Sequence, residues 1–163
     1  MKWMTCVVAV LALLAVEVGE PMALEYIVRP VGKVVKKQKH VILDILPSYQ
    51  EALLGLDGFS HVIVLYWFDR NDTPEKRSIL RVHPRADRRN PLTGVFATRS
   101  PARPNLIGLE VCRIESVKGN QIFVDRIDAF DKTPILDLKP YIPRNDCVEG
   151  AVVPSWVGTR NDP

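Results

Sequence analysis

Short runs of β-branched and aromatic residues, each closed by turn residues, constrain the fold of this chain more than any other feature. Residues 60–68 (SHVIVLYWF) form the densest run and predict a buried central strand. Two further runs, 107–117 and 121–127, flank a Gly-Asn pair that indicates a hairpin. Shorter strands are predicted up to Val35, over 41–45 and over 135–138. Many short strands with frequent turns favour a barrel.

Helical features are few. Ser48 and Glu51 have the spacing of a capping box and predict one short helix, with Gly55 as its C-terminal cap. Thirteen prolines against nine glycines argue against a long helical bundle. The chain has neither a GxGxxG nor a Walker motif, which disfavours a Rossmann site. The predicted fold class is therefore mainly β, as a single antiparallel β-barrel with short helices.

Length and composition fit one globular domain. The 163 residues are 47% hydrophobic and 25% charged, which is an ordinary globular balance and argues against disorder. The three cysteines and three histidines are scattered and include no CxxC pair. The sequence therefore predicts neither a metal site nor a disulfide framework.

The N-terminal segment differs in composition from the rest of the chain. Lys2 precedes an uninterrupted apolar run over 6–16, which has the layout of a secretory signal and is short for a membrane span. Three interpretations stay open: a signal or anchor, an extra element packed on the domain, or translation that begins at Met22. We expect an apolar extension over 1–23, the barrel over 24–158 and a tail over 159–163.

Positive charge is concentrated in one part of the sequence. The net charge is only +3, yet residues 75–103 contain eight bases and two acids. Seven of these bases are arginines, whose planar guanidinium grips phosphate in two places and stacks on bases. The segment is a candidate nucleic-acid-binding surface; the alternative is a solvated loop. The candidate residues are Arg77, Arg81, Arg85, Arg88, Arg89 and Arg103.

A proline-braced loop and an acidic segment are the other polar features. Residues 98–105 (TRSPARPN) combine two arginines, two hydroxyls and an amide, groups that need either a ligand or each other. Carboxylates recur at 125, 128, 131 and 137. Such a group can hold ribose hydroxyls, pair with an arginine or accept a proton. The alternative is that these aspartates cap turns.

Three stretches resemble one known family. They are 55–62 (GLDGFSHV), 94–109 (GVFATRSPARPNLIGL) and 131–141 (DKTPILDLKPY). Over about 24–156 the chain is similar to the TsaA-like, or TrmO, proteins, and the three stretches occur in the family's order. These proteins are S-adenosylmethionine-dependent methyltransferases that modify a threonylcarbamoylated adenosine beside the anticodon of tRNA. The resemblance implies a single β-barrel and a tendency to form dimers.

The resemblance also implies a cofactor site and the residues that form it. S-adenosylmethionine is expected near the end of the aromatic strand and against two loops. Asp128 and Asp131 are the candidate catalytic proton acceptors, and Tyr141 is a candidate catalytic residue that orients the base. The implied cofactor-binding residues are Asp69, Arg70, Arg99, Leu109, Ile127, Asp128, Ala129, Phe130, Asp131 and Thr133.

The implied partners are tRNA and a second copy of the chain, in the cytoplasm, with no metal and no membrane attachment. A start at Met22 fits that compartment better than a signal peptide does. Lys132 departs from the family pattern, which has a glycine there, and Leu106 stands where a proline is usual. Two alternatives follow: a non-catalytic nucleic-acid- or ligand-binding barrel, and a secreted or anchored barrel.

Overall fold

The computed structural model describes residues 25–158. Within that range the strands pair antiparallel, and six of them close a barrel. The strands are β1 (Gly32–Lys37), β2 (His40–Ile45), β3 (His61–Trp67), β4 (Arg81–Val82), β5 (Thr93–Gly94), β6 (Ile107–Lys118), β7 (Gln121–Val124) and β8 (Pro134–Pro140). The barrel has the order β1-β2-β7-β6-β3-β8, and β4 and β5 form a separate two-stranded sheet. The predicted mainly β, single-barrel fold is confirmed.

Helices in the described part of the chain are short connections. The α-helices are α1 (Pro74–Arg77) and α2 (Pro143–Asp146). The 3-10 helices are Pro47–Leu53, Leu56–Gly58, Asp69–Asn71, Pro84–Ala86, Val95–Ala97 and Ser155–Val157. Within residues 25–158, no helix combines the length and the apolar content that crossing a membrane requires.

Closure of the barrel depends on β1, which pairs with β2 on one side and with β8 on the other. Gly32 lies in both pairings. A Cβ atom at this position would lie 2.5 Å from the carbonyl oxygen of Asp44, so only glycine fits without a shift of the backbone. A closed sheet has no edge strand, which removes the usual template for pairing with another chain.

The barrel interior is filled by alternate residues of the strands. On β3, Val62, Val64 and Tyr66 are buried, and the residues between them are half-buried on the outer face. The other strands contribute residues in the same way, because side chains alternate between the two faces of a strand. Val34, Leu43, Cys112, Ile122 and Ile135 are fully buried in the same core.

Three local predictions were wrong. The first strand begins only at Gly32, and the second strand of the hairpin ends at Val124. That strand stops before Asp125, whose carboxylate accepts hydrogen bonds from the backbone N–H groups of Arg113 and Arg126. These bonds take the place of the hydrogen bonds between strands. The capping box does not form, because the helix is 3-10, follows Leu46 and has no side-chain cap.

The domain boundaries stay predictions. The expected extension over 1–23 and the tail over 159–163 lie outside the described residues.

Lys132 has a backbone conformation that favours glycine. Its φ is 71°, in the left-handed region. Its N–H donates to the Val34 carbonyl oxygen at 2.8 Å, and the N–H of Thr133 donates to the carbonyl oxygen of Phe130 at 3.3 Å. The turn therefore adopts a glycine-like geometry although the residue is lysine.

We expect Lys132→Gly to raise the free energy of unfolding by about 1 kcal/mol, because the left-handed strain relieved exceeds the added backbone entropy. Urea unfolding measures the change. The control is Lys139→Gly in β8, which we expect to lower stability by about 0.5–1 kcal/mol. A loss of stability in Lys132→Gly would contradict the assignment of strain to this residue.

Candidate active site

Two adjoining cavities open where β3 ends and β6 begins. The first, the barrel-edge cavity, has a volume of about 820 Å³ and lies between the end of β3, the first half of β6 and residues 126–130. The second, the loop cavity, has a volume of about 1200 Å³ and lies among residues 82–88, 96–102 and 156–157. The residues that line both are Asn71, Thr98, Arg99, Pro101 and Asp128.

The backbone of Asp128 is held by the barrel wall from two sides. Its N–H donates to Oε2 of Glu110 at 2.5 Å. Its carbonyl oxygen accepts the hydroxyl of Tyr66 at 3.1 Å. Both partners lie on barrel strands, β3 and β6. The rigid barrel therefore determines where the Asp128 carboxylate lies, although the residue itself is on a loop.

Tyr66 remains a hydrogen-bond donor over the whole physiological pH range. Burial, followed by the negative charges of Glu110 and Asp128, raises its pKa to about 12. The ring also needs space that its neighbour on β6 provides. A Cβ atom on Gly108 would lie 2.5 Å from Cε2 of Tyr66. Gly108 therefore leaves room for the Tyr66 ring, whose hydroxyl reaches the Asp128 carbonyl oxygen.

The end of β3 supplies a second group of polar residues. Asp69 and Arg70 lie in the 3-10 helix that directly follows the strand. The hydroxyl of Thr133, which is only 3% exposed, donates to Oδ1 of Asp69 at 3.4 Å. The Arg70 guanidinium lies 3.9 Å from the centroid of the Phe130 ring, within the range of a cation–π contact. These contacts join the end of β3 to the 127–133 loop.

The loop over 98–105 is largely self-supporting. Oγ1 of Thr98 accepts the N–H of Ser100, and Oγ of Ser100 accepts the N–H of Ala102. Arg103 donates from Nη1 to the carbonyl oxygen of Thr98 at 3.3 Å. Arg99 reaches across to the carbonyl oxygen of Leu109 on β6, at a long 3.5 Å. Most of the Arg99 guanidinium is left to face the two cavities that it lines.

The barrel-edge cavity combines both charges with an apolar wall. Its carboxylates belong to Asp69, Glu110 and Asp128, and its guanidiniums to Arg70, Arg99, Arg103 and Arg126. Ile107, Leu109 and Val111 expose apolar side chains of β6 along it. Such a surface suits an elongated ligand that carries an amino group, a carboxylate and a flat apolar part.

The structure brings most of the predicted cofactor-binding residues together. The barrel-edge cavity is lined by Asp69, Arg70, Arg99, Leu109, Asp128, Ala129, Phe130 and Thr133. Ile127 is buried and belongs to the barrel core. The Asp131 carboxylate accepts the N–H of Lys36 at 2.9 Å, in the turn next to β1, and does not line either cavity.

Tyr141 is far from both cavities within one chain. It follows β8, and its ring lies 6.2 Å from that of His61, at the first residue of β3. The cavities are at the other end of β3, about 20 Å away for a strand of this length. The fold therefore separates Tyr141 from Asp128, its predicted neighbour in catalysis.

Sequence reasoning missed several residues at the site. The run over 60–68 predicts only that Tyr66 lies in a buried strand, and its hydroxyl bond to the Asp128 carbonyl oxygen has no counterpart in that pattern. Glu110 and Gly108 lie in a strand whose pattern shows only alternation. Trp156 lines the loop cavity from the end of the described chain. No sequence motif indicates that these residues belong to the site, because strand register and chain packing bring them there.

The arginines of the basic segment have different environments. Arg77 is engaged internally, with Nε 2.8 Å from Oδ1 of Asp72 and Nη1 3.0 Å from the Pro104 carbonyl oxygen. Arg89 pairs through Nη2 with Oδ2 of Asp87 at 2.7 Å, and its hydrogen bonds lower the pKa of that carboxyl to about 2. Arg85 and Arg88 line the loop cavity, Arg103 lines the barrel-edge cavity, and Arg81 is exposed on β4.

Histidine, cysteine and carboxylate side chains do not converge on a metal site in the described range: across residues 25–158, no group of three or more is placed to hold an ion. Cys112 is buried in the barrel, and burial together with the charge of Glu110 raises its thiol pKa to about 12. This thiol is therefore unreactive at neutral pH.

The fold and the cavity define a closed β-barrel with a cavity of mixed charge at one rim. The family model for the tRNA-methyltransferase O N-terminal domain matches residues 28–147. The chain therefore belongs to the TrmO family.

Relatives agree with this assignment. The chain is 48% identical over 122 residues to a probable S-adenosyl-L-methionine-binding protein of Methanocaldococcus jannaschii, covering 75% of this chain and 97% of that protein. It is 40% identical over 105 residues to a human tRNA (adenine(37)-N6)-methyltransferase, covering 64% of this chain but 23% of that protein. The crystal structure of TrmO from Pseudomonas aeruginosa matches with a TM-score of 0.62 and 31% identity, covering 79% of this chain and 62% of that one.

We expect Tyr66→Phe to weaken binding of a ligand in the barrel-edge cavity, because the Asp128 carbonyl loses its hydroxyl partner. The free energy of unfolding should fall by about 1 kcal/mol, the usual net value of one hydrogen bond. Urea unfolding and calorimetry with S-adenosylhomocysteine measure the two effects. Unchanged stability together with unchanged affinity would contradict an anchoring role for Tyr66.

Proposed function

We propose that this protein is an S-adenosylmethionine-dependent methyltransferase that acts on the exocyclic N6 amine of a threonylcarbamoylated adenosine in the tRNA anticodon loop. The observation that carries the proposal is that the 98–105 loop and the 126–130 turn meet at one cavity, in a chain of the TrmO family. The named activity of the human relative supports adenine N6 as the target.

The residues of the barrel-edge cavity fit the proposed cofactor. The guanidiniums of Arg99 and Arg103 suit its carboxylate, and the carboxylates of Asp69 and Glu110 suit its amino group. The exposed apolar side chains of β6 suit a purine ring. The bound sulfonium supplies an activated methyl group, so the protein needs mainly to position the reactants.

Asp128 is the proposed proton acceptor. An exocyclic amine that gains a methyl group must lose a proton, and a carboxylate within reach accepts it. Asp128 lines both cavities, and its backbone is held by Tyr66 and Glu110. Asp131 is the weaker candidate because it faces Lys36. Tyr141 lacks access from within the same chain.

The basic segment is the proposed tRNA-binding surface. Arg81 and Arg89 expose their side chains outside the loop cavity. Phosphates of an anticodon loop would pass there if its base enters the site. Arg77 instead supports the loop through Pro104. The proposed substrate places the protein in the cytoplasm.

The proposed function predicts that Arg99→Ala lowers methyl transfer by about 100-fold with the fold intact, because this residue lines both cavities. The assay uses radiolabelled cofactor, tRNA with and without the threonylcarbamoyl group, and nucleoside analysis. Arg144→Ala, in α2, is the matched control. An active Arg99→Ala variant would refute the site, and wild-type transfer to the unmodified tRNA at equal rate would refute the substrate.

We also propose that the protein forms a homodimer through the outer face of β3 and β6. In this pair Ile63 lies opposite Val111 and Leu65 lies opposite Leu109, which makes a continuous apolar surface. Leu109 and Val111 are 41% and 38% exposed. Covering this surface with a second copy would remove it from water. Leu109 and Val111 also line the barrel-edge cavity, so the second copy would border that cavity.

Sedimentation equilibrium of the full chain tests the dimer. We expect a dimer for the wild type and a monomer for Ile63→Glu, since a buried charge without a partner opposes association. Lys37→Glu, which changes charge on exposed β1 across the barrel from β6, should stay dimeric. A monomeric wild type would end this proposal.

A further inference from the structure

The loop cavity is larger than the proposed cofactor needs and is lined by different chemistry. Its volume of about 1200 Å³ exceeds the roughly 300–1,000 Å³ typical of small-molecule pockets. Four cationic side chains line it, those of Lys76, Arg85, Arg88 and Arg99, and Asp128 is its only carboxylate among the described residues. The cavity therefore favours an anion of considerable size.

Aromatic and apolar side chains form the rest of the wall. Phe96 is 78% exposed, and Trp156 faces the same space from the 3-10 helix Ser155–Val157. An exposed phenylalanine and a tryptophan in one cavity provide surfaces on which a nucleobase can stack. Val82 and Pro84 add apolar area.

The segment that carries Arg85 is strained and tied down. Arg85 and Ala86 are consecutive residues with positive φ, 58° and 56°. Left-handed conformations of residues other than glycine persist where the surrounding structure enforces them, often at ligand sites. Nη2 of Arg85 donates to the carbonyl oxygen of Val157 at 2.7 Å, which ties the arginine to the residue that follows Trp156. One bond leaves further donors on that guanidinium.

We infer that the loop cavity binds the target base together with an anionic substituent, with Arg85 and Arg88 pairing with a carboxylate on that substituent. This inference rests on the proposed function, which supplies a base whose threonylcarbamoyl group carries one carboxylate. The cavity shares Arg99 and Asp128 with the barrel-edge cavity. A base in the loop cavity therefore lies against the site from which the methyl group comes, with its amine beside Asp128.

A carboxylate fits the observations better than an RNA phosphate. Arg85 and Arg88 lie in the cavity wall, whereas Arg81 and Arg89 lie outside both cavities and face solvent. Guanidinium binds carboxylate and phosphate alike through two parallel hydrogen bonds, so the position of the two arginines inside the cavity carries the assignment. The two arginines are therefore specificity-determining residues for the modified base, and the outer arginines serve the phosphates.

Calorimetry with nucleosides tests this assignment on the full chain, with and without saturating S-adenosylhomocysteine. The probes are N6-threonylcarbamoyladenosine, its neutral methyl ester, and adenosine 5′-monophosphate, which carries phosphate but no carboxylate. The variants are Arg85→Gln with Arg88→Gln, and Arg88→Gln alone, which leaves the bond to Val157 intact. The control with equal charge change is Arg113→Gln with Arg144→Gln, at the other end of the barrel.

We expect the wild type to prefer the acid over its methyl ester by roughly 10- to 100-fold, as for a lost charged hydrogen-bond pair. The double variant should bind the two alike, Arg88→Gln should lose part of the preference, and the control should keep it. Equal binding of acid and ester by the wild type would overturn the inference. A preference for adenosine 5′-monophosphate that disappears when both arginines are replaced would also overturn it. An equal loss of the preference for the acid in the control variant would do the same.

The same titrations separate this inference from the proposed function. If S-adenosylhomocysteine alone gives no heat, the result counts against the proposed cofactor. Nucleoside binding measured in the absence of S-adenosylhomocysteine still tests the loop cavity. If the Arg85→Gln, Arg88→Gln double variant methylates modified tRNA at the wild-type rate, the proposed function stands and the carboxylate site is refuted.

Discussion

Tyr66 and Glu110 hold the Asp128 backbone against the barrel wall, and the candidate site depends on this anchor. A loop aspartate is ordinarily mobile, and a mobile carboxylate cannot be positioned against a reacting amine. Here the loop accepts one hydrogen bond from β3 and donates one to β6. The barrel is closed, so neither strand can move without its neighbours. The sheet therefore restrains the backbone of Asp128, a residue that lies outside it.

The two cavities divide the chemistry between them. The barrel-edge cavity has both charges and an apolar wall, as a zwitterionic ligand requires. The loop cavity is cationic and aromatic, which suits an anionic, flat ligand. Arg99 and Asp128 line both cavities. Ligands bound in the two cavities would therefore lie next to each other at these two residues. The fold achieves this with loops that leave the barrel at one end.

Much of the fold and part of the site were predictable from the sequence. The 60–68 run predicted β3 because β-branched and aromatic residues pack well on a pleated surface. The start of β1, the end of β7 and the capping box were predicted wrongly. The end of β7 depends on a contact made elsewhere, that of Asp125 with the backbone of Arg113. Residues 98–105 and 128 were found through their polar character and the family resemblance, whereas Tyr66, Glu110 and Trp156 carried no local signal.

The sequence by itself determined a mainly β chain with an arginine-rich segment and polar loops between strands, because strand patterning and turn chemistry are local properties. Only the tertiary structure decided which of those polar residues share a cavity. Strand register put Tyr66 opposite Gly108, and loop packing placed Asp128 in the same cavity wall as Arg99, and Asp131 beside Lys36. Register and loop packing arise from contacts between residues far apart in the chain, so no short stretch of sequence contains them.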